Sequence, residues 1–148
     1  MNAPAVTPLR LALGLGCDRG TPAATIADVV DAALAQIARR HPGAALAVEA
    51  AASIDLKADE AGLREFAALR DWPLTFYPAA QLATVTVPNP SATVLRHTGT
   101  PSVSEAAALL AAGADTGAAA APAALLIEKH RLRGPDGRNA TVSIARIA

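Results

Sequence analysis

The sequence predicts an α/β fold, a three-layer α/β/α single domain on a mixed β-sheet, and three observations carry that prediction. Short apolar runs alternate with stretches whose apolar residues recur at helical spacing. Turn residues mark the junctions, as in His41-Pro42-Gly43, Asp71-Trp72-Pro73 and Gly134-Pro-Asp-Gly137. The last two apolar runs flank that final turn as a hairpin, so part of the sheet is antiparallel.

Residues 1–8 hold two prolines and read as a loose tail ahead of a domain over 9–148. Leu9 to Leu15 is the first strand, leading into a polar, glycine-rich corner, Gly14-Leu-Gly-Cys-Asp-Arg-Gly-Thr21. Thr21 suits an N-cap with Pro22 at the first helical position. Ile26, Val29, Val30, Ala33, Leu34 and Ile37 then follow at helical spacing, and Arg39 and Arg40 sit where the C-terminal dipole favours cations. Ala44 to Ala51 reads as a strand of small residues, running into the polar loop Ser53-Ile-Asp-Leu-Lys57. Asp59 caps a helix that carries Leu63, Phe66, Ala67 and Arg70 on one side.

Leu74 to Tyr77 is a short strand, and a single helical turn starts at Pro78. Asn89 caps a further helix, with Pro90 at its first position and its end near His97. Gly99-Thr100-Pro101-Ser102 opens the helix Val103 to Ala112, where Ser102 and Glu105 have capping-box spacing. Residues 113–124 form an alanine-rich connector, and Ala124 to His130 and Thr141 to Ile147 are the closing strands.

The chain has 148 residues, of which 52% are hydrophobic and only 3% aromatic, so its core is built from Leu, Ile, Val and Ala. Thirteen basic residues balance thirteen acidic ones. That leaves no electrostatic footprint for nucleic acid and few rings for base stacking. Cys17 is the single cysteine, which excludes an intrachain disulfide and a cysteine-built zinc site. His41, His97 and His130 have no metal-ligand spacing, and no metal or cofactor is expected. The start lacks a basic n-region and no run is long enough to span a bilayer, so the protein is expected in the cytoplasm, away from membranes.

The corner at 14–21 leads from a strand to a helix N-terminus, a setting that favours anions. A dinucleotide fingerprint fails there, because the position of its third glycine holds Arg19 and Gly20 comes one residue late. A phosphate loop fails as well, since no lysine precedes Thr21. The tripeptide Gly20-Thr21-Pro22 returns as Gly99-Thr100-Pro101, each copy opening a helix. Two such helix starts have the donors to hold two carboxylates or phosphates.

Five segments then occur in order: Gly16-Cys-Asp-Arg-Gly20, Ala52-Ser-Ile-Asp-Leu-Lys-Ala-Asp-Glu60, Asn89-Pro-Ser91, Gly99-Thr-Pro-Ser-Val-Ser-Glu-Ala-Ala-Ala-Leu109 and Leu125-Leu-Ile-Glu-Lys129, with Ala140-Thr-Val-Ser-Ile-Ala-Arg146 after them. From Leu9 onward this series resembles the C-terminal domain shared by the cobalamin-biosynthesis proteins CobE and CbiG. Ala61 and Thr98 depart locally from the pattern, standing where proline and valine are usual.

The resemblance implies a cytoplasmic protein of corrin-ring assembly. Longer CbiG-type proteins carry an N-terminal portion and are cobalt-precorrin-5A hydrolases, which open a ring lactone and release acetaldehyde. A chain of this length resembles the free-standing CobE type of the aerobic pathway, for which binding or handing on a precorrin or corrin intermediate is the implied role. The hydrolase activity is the alternative, and contact with other pathway enzymes is a third possibility.

Corrin precursors are broad apolar macrocycles fringed by carboxylates, so a binder needs apolar walls, scattered cations and helix N-termini. Arg19, Lys57 and Lys129 are the candidate cations, and the two lysines stand out because the chain has no others. The helix starts at Thr21 and Thr100 supply N–H donors, Ser53, Asn89 and Ser102 supply neutral hydrogen bonds, and Gly16, Gly20 and Gly99 of the glycine-bearing turns belong to the candidate set. Cys17 and Asp55 complete the candidate ligand-binding set, with catalytic residues unassigned. Each has a structural reading beside it. Arg19 pairs with a neighbour such as Asp18, Cys17 is a small buried hydrophobe, the threonines are caps, and Asp59 and Glu60 serve the next helix start.

Overall fold

The computed structural model describes residues 7–100 and 102–148. Five strands, β1 (Leu9–Cys17), β2 (Leu46–Ile54), β3 (Leu74–Tyr77), β4 (Leu125–Arg133) and β5 (Asn139–Arg146), form one mixed sheet in the order β3-β2-β1-β5-β4. β1, β2 and β3 are parallel neighbours, while β5 lies antiparallel between β1 and β4. Among the described residues five α-helices cover the sheet: α1 (Ala23–Arg40), α2 (Ala61–Arg70), α3 (Ala79–Leu82), α4 (Ala92–Thr98) and α5 (Val103–Ala112). The architecture is the mixed three-layer α/β/α fold that the alternation predicts. Of the expected tail over 1–8, residues 1–6 lie outside the described residues, as does Pro101.

Strand alternation divides the molecule into two cores. Leu9, Leu11, Leu13 and Leu15 of β1 meet Ile26, Val29, Val30, Ala33 and Ile37 of α1, with Leu63 and Phe66 of α2 beside them. Arg70 ties α2 to α1 through Asp31 at 2.9 Å and lies over the Phe66 and Trp72 rings. On the other face, Ala12, Ala52 and Ala145 pack under α5 and the short α3. A Cβ at Gly14 would stand 1.8 Å from the Ser104 carbonyl oxygen and 2.6 Å from the Ala108 nitrogen. Only glycine admits α5 at that distance, and the buried alanines of α5 (Ala106, Ala107, Ala108) keep the rest of that approach thin. Much of the alanine content therefore has a packing role.

The structure corrects several local expectations. β1 continues to Cys17 and β2 to Ile54, so Gly14, Gly16 and Ser53 are strand residues. The corner shrinks to residues 18–22. Gly20 turns the chain there with φ +78°, a conformation that favours glycine. Pro22, not Thr21, is the N-cap of α1, its carbonyl accepting from the N–H groups of Thr25 and Ile26. The Thr21 hydroxyl instead donates back to the Asp18 carbonyl at 2.6 Å. Asp59 does not cap α2; Glu60 is its N-cap by position, without a side-chain bond to the helix.

Ser91, rather than Asn89, caps α4, its Oγ accepting from the Val94 N–H at 3.2 Å. Ser102 occupies the N-cap position of α5 with no capping bond, so the expected box with Glu105 does not form. Glu105 is fully buried and accepts instead from the backbone and side-chain amides of Asn89, at 3.2 and 2.6 Å.

Candidate functional site

At the C-terminal end of β1, on the face covered by α5, lies a cleft of about 560 Å³. It opens outside the carboxyl ends of the parallel strands, beside the antiparallel β5 that interrupts them, a placement common to ligand sites of α/β sheets. Its floor is made by strand residues that alternation aims to one side. Gly16 of β1 pairs with Thr141 of β5, and Thr141 with Arg131 of β4. Lys129, two residues before Arg131, lines the same cleft. Ile54 and Lys57 enter from the end of β2 and the single 3-10 turn after it.

The walls come from the start of α5, one face of α4 and one loop. α5 contributes Ser102, Val103 and Ser104, and α4 contributes Thr93, Val94, His97 and Thr98, spaced to share one helix face. The loop after β1 contributes Asp18 and Arg19. Asp18 fixes this loop to β5, accepting from the backbone N–H of Asn139 at 2.7 Å and its side-chain amide at 3.1 Å. Burial pushes the Cys17 thiol up to about 11; nearby Glu60 and Asp18 act in the same direction against Lys57 and Thr21. The thiol therefore keeps its proton near neutral pH and is not an attacking thiolate.

Of the sequence-predicted residues, Gly16, Cys17, Arg19, Lys57, Ser102 and Lys129 line this cleft. The others do not. Ser53 is buried and donates to the Leu15 carbonyl at 2.6 Å, tying β2 to β1. Asp55 is exposed in the 3-10 turn. Gly20 and Thr21 belong to the turn that opens α1, on the opposite face from α5, and Gly99 closes α4. Thr100 is fully buried, and its hydroxyl has no partner among the described residues. Asn89 stands behind the cleft wall, accepting from the Lys129 ammonium through its carbonyl at 2.8 Å while it donates to Glu105.

Arg19 lines the rim but is engaged elsewhere. Its guanidinium donates to Asp59 at 2.8 Å, Glu60 at 3.2 Å and the Leu56 carbonyl at 2.8 Å, not to Asp18. The exposed Asp59 carboxyl is accordingly held below its usual range by Arg19. Glu60 also accepts from the Gly20 N–H at 3.2 Å. Lys57, Lys129 and Arg131 differ: among the described residues none has a carboxylate within salt-bridge distance. Asp18 is the one carboxylate in the described lining. The cleft is thus positively charged in a chain whose net charge is zero.

Sequence reasoning missed Arg131, Thr141, Ser104 and the whole α4 face. Two signals were present. Arg131 follows Lys129 at strand period, and Thr93 with His97, like Val94 with Thr98, has helical i, i+4 spacing.

The profile of the family described as "Cobalamin synthesis G C-terminus" matches residues 11–145. The chain belongs to this CobE/CbiG C-terminal family of cobalamin biosynthesis. It is 37% identical over 135 residues to the protein CobE of a Sinorhizobium species, covering 81% of this chain and 85% of that one. Against the cobalt-precorrin-5A hydrolase of Priestia megaterium it is 41% identical over 109 residues, 74% of this chain but 28% of the hydrolase. The chain therefore spans little more than a quarter of that relative's length.

Solved structures agree. A crystal structure of CobE, a protein from the vitamin B12 biosynthetic pathway, superposes with a TM-score of 0.68 at 37% identity, covering 98% of this chain and 95% of that one. The cobalamin biosynthesis protein chiG of Agrobacterium tumefaciens gives a TM-score of 0.53 at 34% identity, covering 91% of this chain and 96% of its own. The family's fold is the mixed α/β architecture described above. Among the described residues no helix is long and apolar enough to cross a membrane.

Proposed function

We propose that this chain binds a precorrin or corrin intermediate non-covalently in the cleft and passes it on during aerobic assembly of the ring, in the cytoplasm. One observation carries the reading: Lys57, Lys129 and Arg131 converge on the cleft without carboxylate partners among the described residues. A macrocycle fringed by carboxylates supplies those partners. Ile54, Val94 and Val103 offer apolar surface to the ring face. The volume of about 560 Å³ falls in the ordinary range of small-molecule sites, roughly 300–1,000 Å³. The scarcity of aromatic residues, 3% of the chain, makes aliphatic contact and charge the means of recognition.

The test is a visible-absorbance titration with hydrogenobyrinic acid, followed by gel filtration. A spectral shift with co-elution is expected; an unchanged spectrum and separate elution overturn the proposal. The 41% identity to a cobalt-precorrin-5A hydrolase favours a second reading, lactone opening by this chain. Acetaldehyde released from the cobalt intermediate by the purified chain would establish it.

A further inference from the structure

The start of α5 contains a feature that the fold itself does not use. Ser102 has no exposed surface, lines the cleft, and its hydroxyl has no hydrogen-bond partner among the described residues. A buried, unpartnered hydroxyl is costly and rare. At an N-cap position the ordinary remedy is to accept from the helix's own amides, and here that bond is not made. Glu105, the other member of the expected capping box, is turned away to Asn89. The opening N–H groups of a helix have no intrahelical acceptor and carry its positive pole. Across the cleft, Lys129 and Arg131 add positive charge from the floor.

At this spot Lys129 and Arg131 carry positive charge, the opening amides of α5 donate and the Ser102 hydroxyl can donate or accept. Asp18, the one carboxylate in the described lining, is tied to Asn139. The complementary group is a proton acceptor with negative charge. Resting on the reading above, we propose that the N-terminus of α5, with the Ser102 hydroxyl as its marker, is the seat for one carboxylate arm of the ligand. Ser102 is then a specificity-determining residue that separates the free acid from its neutral forms. A single site of this kind replaces the expected pair, because the turn at Gly20-Thr21 opens its helix on the other face of the sheet.

Affinity and stability are measured on the full chain, with hydrogenobyrinic acid and its fully methyl-esterified form as probes. The wild type is expected to bind the acid at least tenfold more tightly than the ester. Ser102→Ala lowers acid affinity about tenfold, leaves ester affinity unchanged, and keeps or raises the melting temperature, because it deletes an unpartnered hydroxyl. Ser102→Asp fills the seat with the protein's own carboxylate, so acid binding falls further while the helix start is better capped.

Equal losses for acid and ester, or a lowered melting temperature in Ser102→Ala, overturn the inference while leaving ring binding intact. A second arm stands apart from the ring. Glutarate is titrated into ¹⁵N-labelled chain, with shifts expected at the amides of Val103, Ser104 and Glu105 that Ser102→Ala removes. Should the ring fail to bind at all, the proposed function falls and this arm alone decides the seat. Shifts confined to other residues, or none, refute it.

Discussion

Gly14→Ala tests whether the close approach of α5 to β1 holds the molecule, and its cleft, together. The new Cβ would lie 1.8 Å from the Ser104 carbonyl oxygen, where ordinary contact begins at 3.4 Å, so the helix must withdraw by about 1.6 Å. Both atoms it meets first are backbone, and no side-chain rotation relieves them. Overpacking of this kind costs about 1–3 kcal/mol, and the backbone clash places it at the upper end. Withdrawal also stretches the 2.9 Å hydrogen bond between Ser104 and Ser143, a further loss of about 1 kcal/mol.

At roughly 2–4 °C per kcal/mol for a domain of this size, the melting temperature should fall by about 10 °C. Gly16→Ala is the control, because a Cβ there meets nothing within 4 Å. Its melting temperature should stay within about 2 °C of wild type. Circular dichroism melts of the three proteins decide it. A Gly14→Ala variant as stable as Gly16→Ala would refute the packing argument.

Four other outcomes rest on the same geometry. Iodoacetamide should alkylate Cys17 at pH 8 at least tenfold more slowly than it does glutathione. Only the unfolded chain loses that proton between its ordinary value and about 11, so folding stability should fall as pH rises through this window, and Cys17→Ala should flatten the decline. The half-buried Tyr77 hydroxyl, also raised by burial, acts with the same sign at higher pH. Asn89→Ala removes the 2.6 Å donor to the buried Glu105 carboxylate and should cost about 2 kcal/mol in a denaturant melt; Glu105→Gln in that background should return part of it. Arg19→Ala should weaken hydrogenobyrinic acid binding less than Lys129→Ala does, since Arg19 is tied to Asp59 and Glu60.

The layers and the mixed sheet were readable because the apolar run of β1, the 3.6-residue spacing in α1 and the closing hairpin turn are strong, local signals. The strand order β3-β2-β1-β5-β4 was not, because it is set by contacts far apart in sequence. Element ends were less readable. Asn89 and Ser91 are both good caps, and the choice between them was made by Glu105, sixteen positions away and buried. The capping box at Ser102 and Glu105 had the right letters, yet the same tertiary contact took its acid. Cleft residues followed a similar division. Lys57 and Lys129 stood out by rarity, but Arg131 was one of many arginines until the β4–β5 register set it opposite Thr141. Arg19 shows the converse, a conspicuous residue whose partners 40 and 41 positions away engage it at the rim.

The proposed role of Lys57, Lys129 and Arg131, which have no carboxylate partners among the described residues, is to hold a carboxylate-fringed ring. Its most direct test is the affinity of hydrogenobyrinic acid for the combined variant Lys57→Ala, Lys129→Ala, Arg131→Ala, measured by absorbance titration beside a melting curve. Loss of at least a hundredfold in affinity, with the melting temperature held within a few degrees, is the result expected. Wild-type affinity in a folded triple variant would contradict it.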